Sequence, residues 1–344
     1  MGLKKVFSSA LLLLLFTSLF LAWLVFGSNT KFEEDKKNFY IATGSSYQSV
    51  VENLDKEGII KNKKIFLWLA SYVEYNDKTV KAGKYLIDKN SSVVTVLRML
   101  KNGRQAPVKF VINKIRTAEN FAQKLSAAFE CDSASVISFL NSNDSLAPLG
   151  LNSNTAMTMV IPNTYSFLWN SSANKILKKL FAEQQKFWTP ERRAKADGLN
   201  LTPEQVYILA SIVEEETNLE EDKGKVASVY LNRLETGMKL GADPTVKFAM
   251  KDFGLKRIYQ KHLAFPSAYN TYQHAGLPPG PICTPSQKTI DAVLNAPTTS
   301  YLYFVAKPDL RGGSNFAATY EEHLRFAKAY QQALDSLAKK KSLQ

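Results

Sequence analysis

Leu201–Thr217, with the sequence LTPEQVYILASIVEEET, has the pattern of an amphipathic helix that carries a carboxyl group on its apolar face. Its first turn supplies an N-cap, a proline at the first helical position and a capping-box glutamine, which are Thr202, Pro203 and Gln205. Its apolar stripe recurs at helical spacing and comprises Val206, Leu209, Ile212 and Val213. At about 100° per residue, Glu216 falls beside Leu209 and Ile212. The sequence therefore predicts a helix with one glutamate among apolar side chains.

Such a placement gives Glu216 the environment of a general acid. Apolar neighbours disfavour the ionised carboxylate, so the pKa of Glu216 is expected to rise. Glu214 and Glu215 point away from the apolar face. The alternative is a helix that frays near Thr217 and leaves Glu216 in water.

The composition is that of a globular protein with a basic balance. The chain has 344 residues, enough for two or three modest domains, of which 45% are apolar and 22% charged. The 44 Lys and Arg against 31 Asp and Glu give a net charge of +13. This charge suits an anionic partner such as nucleic acid, anionic lipid or an acidic cell-wall polymer. The absence of an arginine-rich stripe or zinc-finger spacing argues against nucleic acid.

The two cysteines, Cys131 and Cys283, are far apart in sequence and belong to no metal-binding spacing. With only 3 histidines in the chain, a structural zinc site is not expected. A long-range disulfide and two buried free thiols both stay open.

An apolar segment near the N-terminus predicts a membrane anchor. Val6–Phe26 is an uncharged run long enough to cross a bilayer as a helix. Lys4 and Lys5 precede it, so the positive-inside rule puts the N-terminus in the cytoplasm and residues 28–344 outside the plasma (inner) membrane. The alternative is a cleaved signal peptide, whose apolar core is usually shorter. Both interpretations export the body of the protein.

The remaining chain is predicted to be an α+β protein in several parts. Residues 1–27 form the cytoplasmic N-terminus and anchor, and 28–38 form a short polar stalk. Residues 39–105 follow a strand, helix, helix, strand, helix order that resembles LysM-type modules, which bind cell-wall glycan; a small α+β spacer is the alternative. Residues 106–165 are a linking α/β segment, and 166–344 form a mostly helical catalytic domain with a few short strands.

Six motifs occur in order along the second half of the chain: ASIVEEET, KVASVYLNRL, GADPTV, AYNTYQHAGLPPGPI, YLYFVA and GGSNF. Together they closely resemble the membrane-anchored endolytic murein transglycosylases, the MltG or YceG-like family. The likeness is close over about residues 205–330, and the anchor and LysM-like unit fit the family layout.

The resemblance implies roles for particular residues. It selects Glu216 as the catalytic residue, with Glu214 in support, and leaves Glu215 at a variable position that we expect to be solvated. The substrate-binding or supporting residues that it implies are Asn232, Arg233, Asp243, Thr245, Tyr269, Asn270 and Tyr272. For these seven residues, helix-surface hydrogen bonds, helix capping and core packing are the structural alternatives. Some relatives have histidine where this chain has Ser314, which weakens any catalytic role for that turn.

The resemblance also implies a reaction. It is the cleavage of the β-1,4 bond between N-acetylmuramic acid and N-acetylglucosamine in nascent peptidoglycan strands, which leaves 1,6-anhydro ends and terminates polymerisation. One carboxyl group would act first as acid and then as base, with no metal and no organic cofactor. Glycan strands, the membrane and peptidoglycan synthases are the implied partners. The alternatives are a glycosidase that hydrolyses the same bond with water and a non-catalytic glycan-binding scaffold for synthases.

Overall fold

The predicted mixture of many helices with a few short strands is confirmed. A computed structural model describes residues 2–342, with side chains for residues 7–339. Within that range, strands occur in three two-stranded sheets and the remaining regular structure is helical. Met1 and residues 343–344, at the outer ends of the first and last predicted domains, lie outside the described residues. The chain divides into two compact units.

Unit 1 contains the residues up to 110 together with 128–131 and 166–172. Its elements are α1 (Gly2–Phe26), β1 (Lys36–Ile41), α2 (Tyr47–Lys56), α3 (Lys63–Tyr72), β2 (Gly83–Asp88) and α4 (Val93–Asn102). β1 and β2 are antiparallel, with Phe39 opposite Tyr85, and both of these side chains are fully buried. Ser46, Asn62 and Ser92 are the N-caps of α2, α3 and α4.

α1 is long and apolar enough to span a membrane. Its segment Phe7–Phe26 has a mean hydropathy of 2.4, and none of it is buried inside the protein. A helix of 20 residues is about 30 Å long, which matches the hydrocarbon core of a bilayer. The helix is therefore compatible with a single-pass anchor, while the orientation derived from Lys4 and Lys5 stays a prediction.

The segment predicted to be a stalk is hydrogen-bonded to the rest of unit 1. Asn29, Thr30 and Phe32 are 6%, 4% and 8% exposed, and Phe32 belongs to the hydrophobic core of the unit. β1 begins at Lys36, within the same predicted segment. In the structure, the connection from α1 into unit 1 is thus a packed one.

Unit 2 contains residues 111–127, 132–165 and 173–344. After α4 the chain forms two strands with residues in both units, β3 (Val108–Val111) and β4 (Thr164–Phe167), and the helices α5 (Ala118–Ala128), α6 (Ser133–Asn141), α7 (Asn143–Leu146), α8 (Ala173–Phe187) and α9 (Pro190–Gly198). From there the chain forms α10 (Pro203–Glu216), α11 (Glu220–Glu235), α12 (Asp243–Ala249), α13 (Gln260–Leu263), α14 (Gln287–Leu294), β5 (Tyr303–Ala306), β6 (Ser314–Ala317) and α15 (Tyr320–Ser342). β3 pairs with β4, and β5 is antiparallel to β6.

The central helix of unit 2 is α10, and its predicted capping is confirmed. Thr202 accepts from the Gln205 backbone N–H, and the Gln205 side chain accepts from the Thr202 backbone N–H. The predicted one-sided burial is wrong, because every residue from Val206 to Val213 is buried. α10 contacts α9, α11, α12 and α14, so it is covered on several sides.

Cys131 and Cys283 do not form a disulfide with each other in the structure. The Cys283 thiol is buried and lies 3.3 Å from the Ser211 carbonyl oxygen of α10. That cysteine therefore has a packing role in the core of unit 2.

Candidate functional site

The Glu216 carboxyl lies at the C-terminal end of α10 and is held by α11. Thr217 is extended and ends the helix directly after Glu216. The Tyr230 hydroxyl donates a hydrogen bond of 2.7 Å to Glu216 Oε1. The Glu216 side chain is half-buried, so it is shielded from bulk water yet retains an accessible surface. The alternative of a frayed helix with a fully solvated Glu216 is wrong.

Burial raises the pKa of Glu216 to about 7. The loss of hydration is the largest cause, and the negative charge of Asp243 raises the pKa further. The Tyr230 hydrogen bond and the positive charges of Arg233 and Lys247 oppose this increase. The position at a helix C-terminus also disfavours a carboxylate, because the exposed carbonyl groups there carry partial negative charge. Glu216 is therefore poised to give and take a proton near neutral pH.

Tyr230 of α11 contacts Glu216 and is not among the residues that the sequence motifs selected. Its side chain is buried, and burial raises the pKa of its phenol well above the ordinary value, so the hydroxyl stays a hydrogen-bond donor. Its ring packs edge-on against Phe304 at 5.9 Å between centroids. The apolar spacing along α11 predicts that the Tyr230 side chain is buried, but it does not predict that the hydroxyl bonds to Glu216.

Asp243 and Tyr272 form a second hydrogen-bonded pair near Glu216. The Tyr272 hydroxyl donates to Asp243 Oδ1 at 2.7 Å. Asp243 is exposed at the start of α12, and its charge influences the Glu216 carboxyl. Burial and the Asp243 carboxylate together raise the pKa of Tyr272, so this phenol also stays protonated. Both residues were predicted from the sequence motifs, and in the structure they lie near Glu216.

Asn232 and Arg233 hold the segment that leads into β5. Asn232 Nδ2 donates to the carbonyl oxygens of Thr299 and Tyr301, at 2.9 and 2.8 Å. Arg233 Nε donates to the Leu302 carbonyl at 2.7 Å, and its guanidinium lies over the Tyr303 ring. Arg233 also contributes positive charge to the surroundings of Glu216, whereas the contacts of Asn232 are with backbone.

Thr245 and Asn270 are fully buried and stabilise the loop that carries Tyr272. Thr245 Oγ1 lies 2.8 Å from the Thr271 hydroxyl oxygen and donates to the Ala242 carbonyl. Asn270 Nδ2 donates to two backbone carbonyls, those of Leu263 and Phe265. Asn270 Oδ1 accepts from the Tyr272 N–H at 3.0 Å. Both side chains thus shape the site without facing open solvent.

Tyr269 packs within unit 2. Its ring lies against Phe248 of α12, with 4.8 Å between ring centroids. Burial raises the pKa of its phenol. The AYNTY motif therefore contains two tyrosines with different surroundings. Tyr269 packs in the interior of unit 2, and Tyr272 bonds to Asp243.

Glu214 is bonded to α11 and α14. Its Oε2 accepts from the Ser286 hydroxyl at 3.2 Å and from the Thr289 hydroxyl, at the N-terminal turn of α14. It also contacts Lys223 Nζ at 3.4 Å, and this lysine side chain is 4% exposed. None of these contacts is with Glu216, so Glu214 fastens the helices around the site.

The expectation that Glu215 is solvated is wrong. Both of its carboxylate oxygens accept from the Arg116 guanidinium at 3.0 Å, and Lys114 Nζ lies 3.3 Å from Oε1. The Glu215 side chain is only 14% exposed. Arg116, Glu215 and Lys247 also line a cavity of about 60 Å³. An ion pair thus fastens the last turn of α10, one residue before Glu216.

The Ser314 turn is fixed by its backbone. The Ser314 N–H donates to Asp222 Oδ2 of α11 at 2.8 Å, at the start of β6. Among the side chains described, no group of three or more His, Cys, Asp or Glu residues is placed to hold a metal ion.

The comparisons with known proteins identify the family. The model of the YceG-like family matches residues 39–329. The chain belongs to the YceG-like family. This confirms the family that the sequence motifs indicated.

Several relatives in this family carry the name endolytic murein transglycosylase. The protein of that name from Bacillus subtilis (strain 168) is 28% identical over 87% of this chain and 86% of its own length. Its namesake from Streptococcus pneumoniae (D39) is 27% identical, over 82% of this chain but 56% of its own length. A crystal structure of a yceG-like protein from Listeria monocytogenes is 26% identical, with a TM-score of 0.57 over 85% of this chain and 99% of that chain.

Proposed function

We propose that this chain is an endolytic lytic transglycosylase that cleaves the β-1,4 bond between N-acetylmuramic acid and N-acetylglucosamine. The names of its relatives support this substrate class. The observation that carries the proposal is the Glu216 carboxyl, whose pKa of about 7 allows both protonation states near neutral pH. A single group with this property fits a reaction that needs an acid and then a base at the same place.

In the first step, protonated Glu216 donates its proton to the glycosidic oxygen while the bond from that oxygen to C1 of the muramic residue breaks. The resulting Glu216 carboxylate accepts the Tyr230 hydrogen bond of 2.7 Å, which stabilises the charged form. The positive charges of Arg233 and Lys247 also stabilise the Glu216 carboxylate. The leaving strand then ends in a neutral hydroxyl group.

In the second step, the Glu216 carboxylate takes the proton of the C6 hydroxyl of the muramic residue as O6 bonds to C1. The product is the 1,6-anhydro sugar, and Glu216 regains its proton. Because the nucleophile belongs to the substrate, its effective concentration is high and no water needs activation. Asp243, exposed and near Glu216, is our candidate to stabilise the positive charge that develops at C1.

The other named residues divide into two groups in this proposal. Tyr272 faces the substrate with Asp243, because the two share a hydrogen bond at an exposed edge. Residues that position the site are Glu214, Asn232, Arg233, Thr245, Tyr269 and Asn270. Their hydrogen bonds and ring contacts within unit 2 support that assignment.

The wider organisation remains part of the proposal. We assign residues 1–27 to a cytoplasmic N-terminus and anchor, 28–38 to a connection, 39–105 to a LysM-like glycan-binding module, 106–165 to a linking segment and 166–344 to the catalytic domain. The anchor would hold the catalytic part outside the inner membrane, near nascent strands and their synthases. The helical segment Phe7–Phe26 supports the anchor by its length and hydropathy.

Product analysis tests the reaction. Purified peptidoglycan is digested with the wild type and with Glu216→Gln, and the ends are identified by mass spectrometry. We expect 1,6-anhydro ends from the wild type and none from Glu216→Gln, while Glu221→Gln, an exposed change on α11, leaves the products unchanged. Reducing ends, which are heavier by one water, would instead assign hydrolysis. A Glu216→Gln protein that retains cellular function would favour the scaffold.

A further inference from the structure

One face of α3 in unit 1 is apolar, aromatic and exposed. Lys64, Leu67, Trp68, Ser71 and Tyr72 recur at i, i+3, i+4, i+7 and i+8, which places them on one stripe of the helix. Leu67, Trp68 and Tyr72 are 39%, 63% and 82% exposed. The opposite face supplies Phe66, Leu69 and Ala70 to the core. Nothing in the fold of unit 1 requires large apolar side chains on the outer stripe.

The start of α3 is bonded directly to the chain that leaves α1. The Lys61 N–H donates to the Asn29 carbonyl and side-chain oxygens at 2.7 and 2.8 Å, and the Asn62 N–H donates to the same side chain at 3.2 Å. Asn29 is itself 6% exposed, and its N–H donates to the Ser91 carbonyl. This junction fixes α3 to the end of the apolar helix.

The chain keeps the start of α3 close to the end of α1. Asn29 is three residues beyond Phe26, so the two are separated by at most about 11 Å. Trp68 lies about 8 Å along α3 from its first residue. Val25 of α1 also packs against the core of unit 1. The start of α3 therefore lies close to the end of the apolar helix.

We propose that Leu67, Trp68 and Tyr72 form a membrane-contact surface that lays unit 1 on the outer face of the bilayer. Tryptophan and tyrosine favour the headgroup level, where the ring is partly in hydrocarbon and its polar atom stays hydrated. The inference rests on the anchor of the proposed function and goes beyond it, because a tether alone would leave unit 1 free to rotate.

The charges within α3 fit a lipid surface. α3, with the sequence KKIFLWLASY, contains no acidic residue. Lys61 and Lys64 are exposed at its N-terminal end, and a lysine stem can cover apolar surface while its ammonium group reaches a phosphate. Lysines close to an anionic membrane surface are attracted to it. The exposed aromatic stripe, its attachment beside the end of α1 and these lysines together favour an anionic bilayer as the partner.

Fluorescence quenching by brominated lipid tests the contact. The full chain is reconstituted into phosphatidylcholine and phosphatidylglycerol vesicles with bromine high on the acyl chains. The chain has 4 tryptophans, so wild type is compared with Trp68→Phe and with the matched control Trp169→Phe, whose ring packs on Tyr40. We expect Trp68→Phe to remove part of the quenchable emission and Trp169→Phe to remove none.

The possible failures are distinguishable. If quenching persists from Trp23 in α1 but is the same in wild type and Trp68→Phe, the contact is overturned and the anchor stands. If no variant is quenched, the anchor and the contact fail together. If Trp68 emission responds to soluble glycan fragments and not to brominated lipid, the surface binds glycan and the proposal is wrong.

Discussion

At the scale of single residues, the pKa of the Glu216 carboxyl is determined by opposing effects. Loss of hydration and the Asp243 charge favour the neutral acid, whereas the Tyr230 hydroxyl, Arg233 and Lys247 favour the carboxylate. Their balance holds the pKa of Glu216 at about 7. Because the proposed reaction needs the acid first, cleavage should slow as pH rises through this value.

Removing the Tyr230 hydroxyl should change the pH at which cleavage slows. In Tyr230→Phe, the carboxylate loses a charge-assisted hydrogen bond that lowers the pKa of Glu216, so this pKa rises. We expect the falling limb of the kcat/KM profile to move to higher pH, with a lower maximum rate. A pH–rate series on soluble glycan measures this, and a limb that stays in place would show that Glu216 is not the group that titrates.

The same balance makes a prediction about stability. A carboxyl whose pKa is raised on folding stabilises the folded state fully below its unfolded pKa of about 4.5, and this contribution is lost as pH rises toward about 7. Glu216→Gln, which stays neutral, should therefore match the wild type at pH 4 and exceed it at pH 8 by about 1–3 kcal/mol. Urea unfolding at both pH values measures the difference. An equal difference at both would contradict the raised pKa.

At the scale of helices, the sequence predicted local features well and long-range partners poorly. The capping box of Thr202 and Gln205 was predictable, because both residues act within one turn. The ion pair of Glu215 was not predictable, because its partner Arg116 is 99 residues away in the sequence and no periodicity relates the two positions. Asn270 and Thr245 were selected through the family motif, but their buried contacts with backbone depend on tertiary packing.

The Glu215–Arg116 ion pair offers a test at this scale. Arg116→Leu leaves a mostly buried carboxylate with Lys114 alone, so we expect a loss of about 1–3 kcal/mol in unfolding free energy. The looser last turn of α10 should also lower kcat more than it raises KM. Arg116→Leu with Glu215→Leu should recover part of the stability, since no unpaired charge remains.

The exposed pair Lys186–Glu183 provides the matched control. Lys186 is 71% exposed, so Lys186→Gln should cost at most about 0.5 kcal/mol and leave kcat unchanged. Chemical unfolding and steady-state kinetics on the three variants make the comparison. Equal small effects for Arg116→Leu and Lys186→Gln would show that the pair does not fasten α10.

At the scale of the whole molecule, the main departure from the predicted layout is the connection after α1. Its polar and charged composition favoured a stalk, yet Asn29, Thr30 and Phe32 are buried in unit 1. Composition could not reveal this, because the burial depends on hydrogen bonds to residues 61, 62, 90 and 91, which come from other elements.

Two truncations test the packed connection. A chain that starts at residue 28 keeps the Asn29 hydrogen bonds and the Phe32 contacts, whereas one that starts at residue 36 loses both. We expect the shorter chain to be less stable by about 2–4 kcal/mol, from the buried phenylalanine and the lost hydrogen bonds. Thermal and urea unfolding of the two proteins measure the difference, and equal stability would mean that the segment is a dispensable stalk.

The proposed reaction depends on one carboxyl group, that of Glu216, which changes its protonation state near neutral pH. The most direct measurement is a carbon-13 NMR titration of glutamate carboxyl groups in the wild type, with Glu216→Gln to assign the signal. We expect a midpoint at about 7 for the signal that is absent from Glu216→Gln. A midpoint near 4.5, the ordinary value for glutamate, would contradict it.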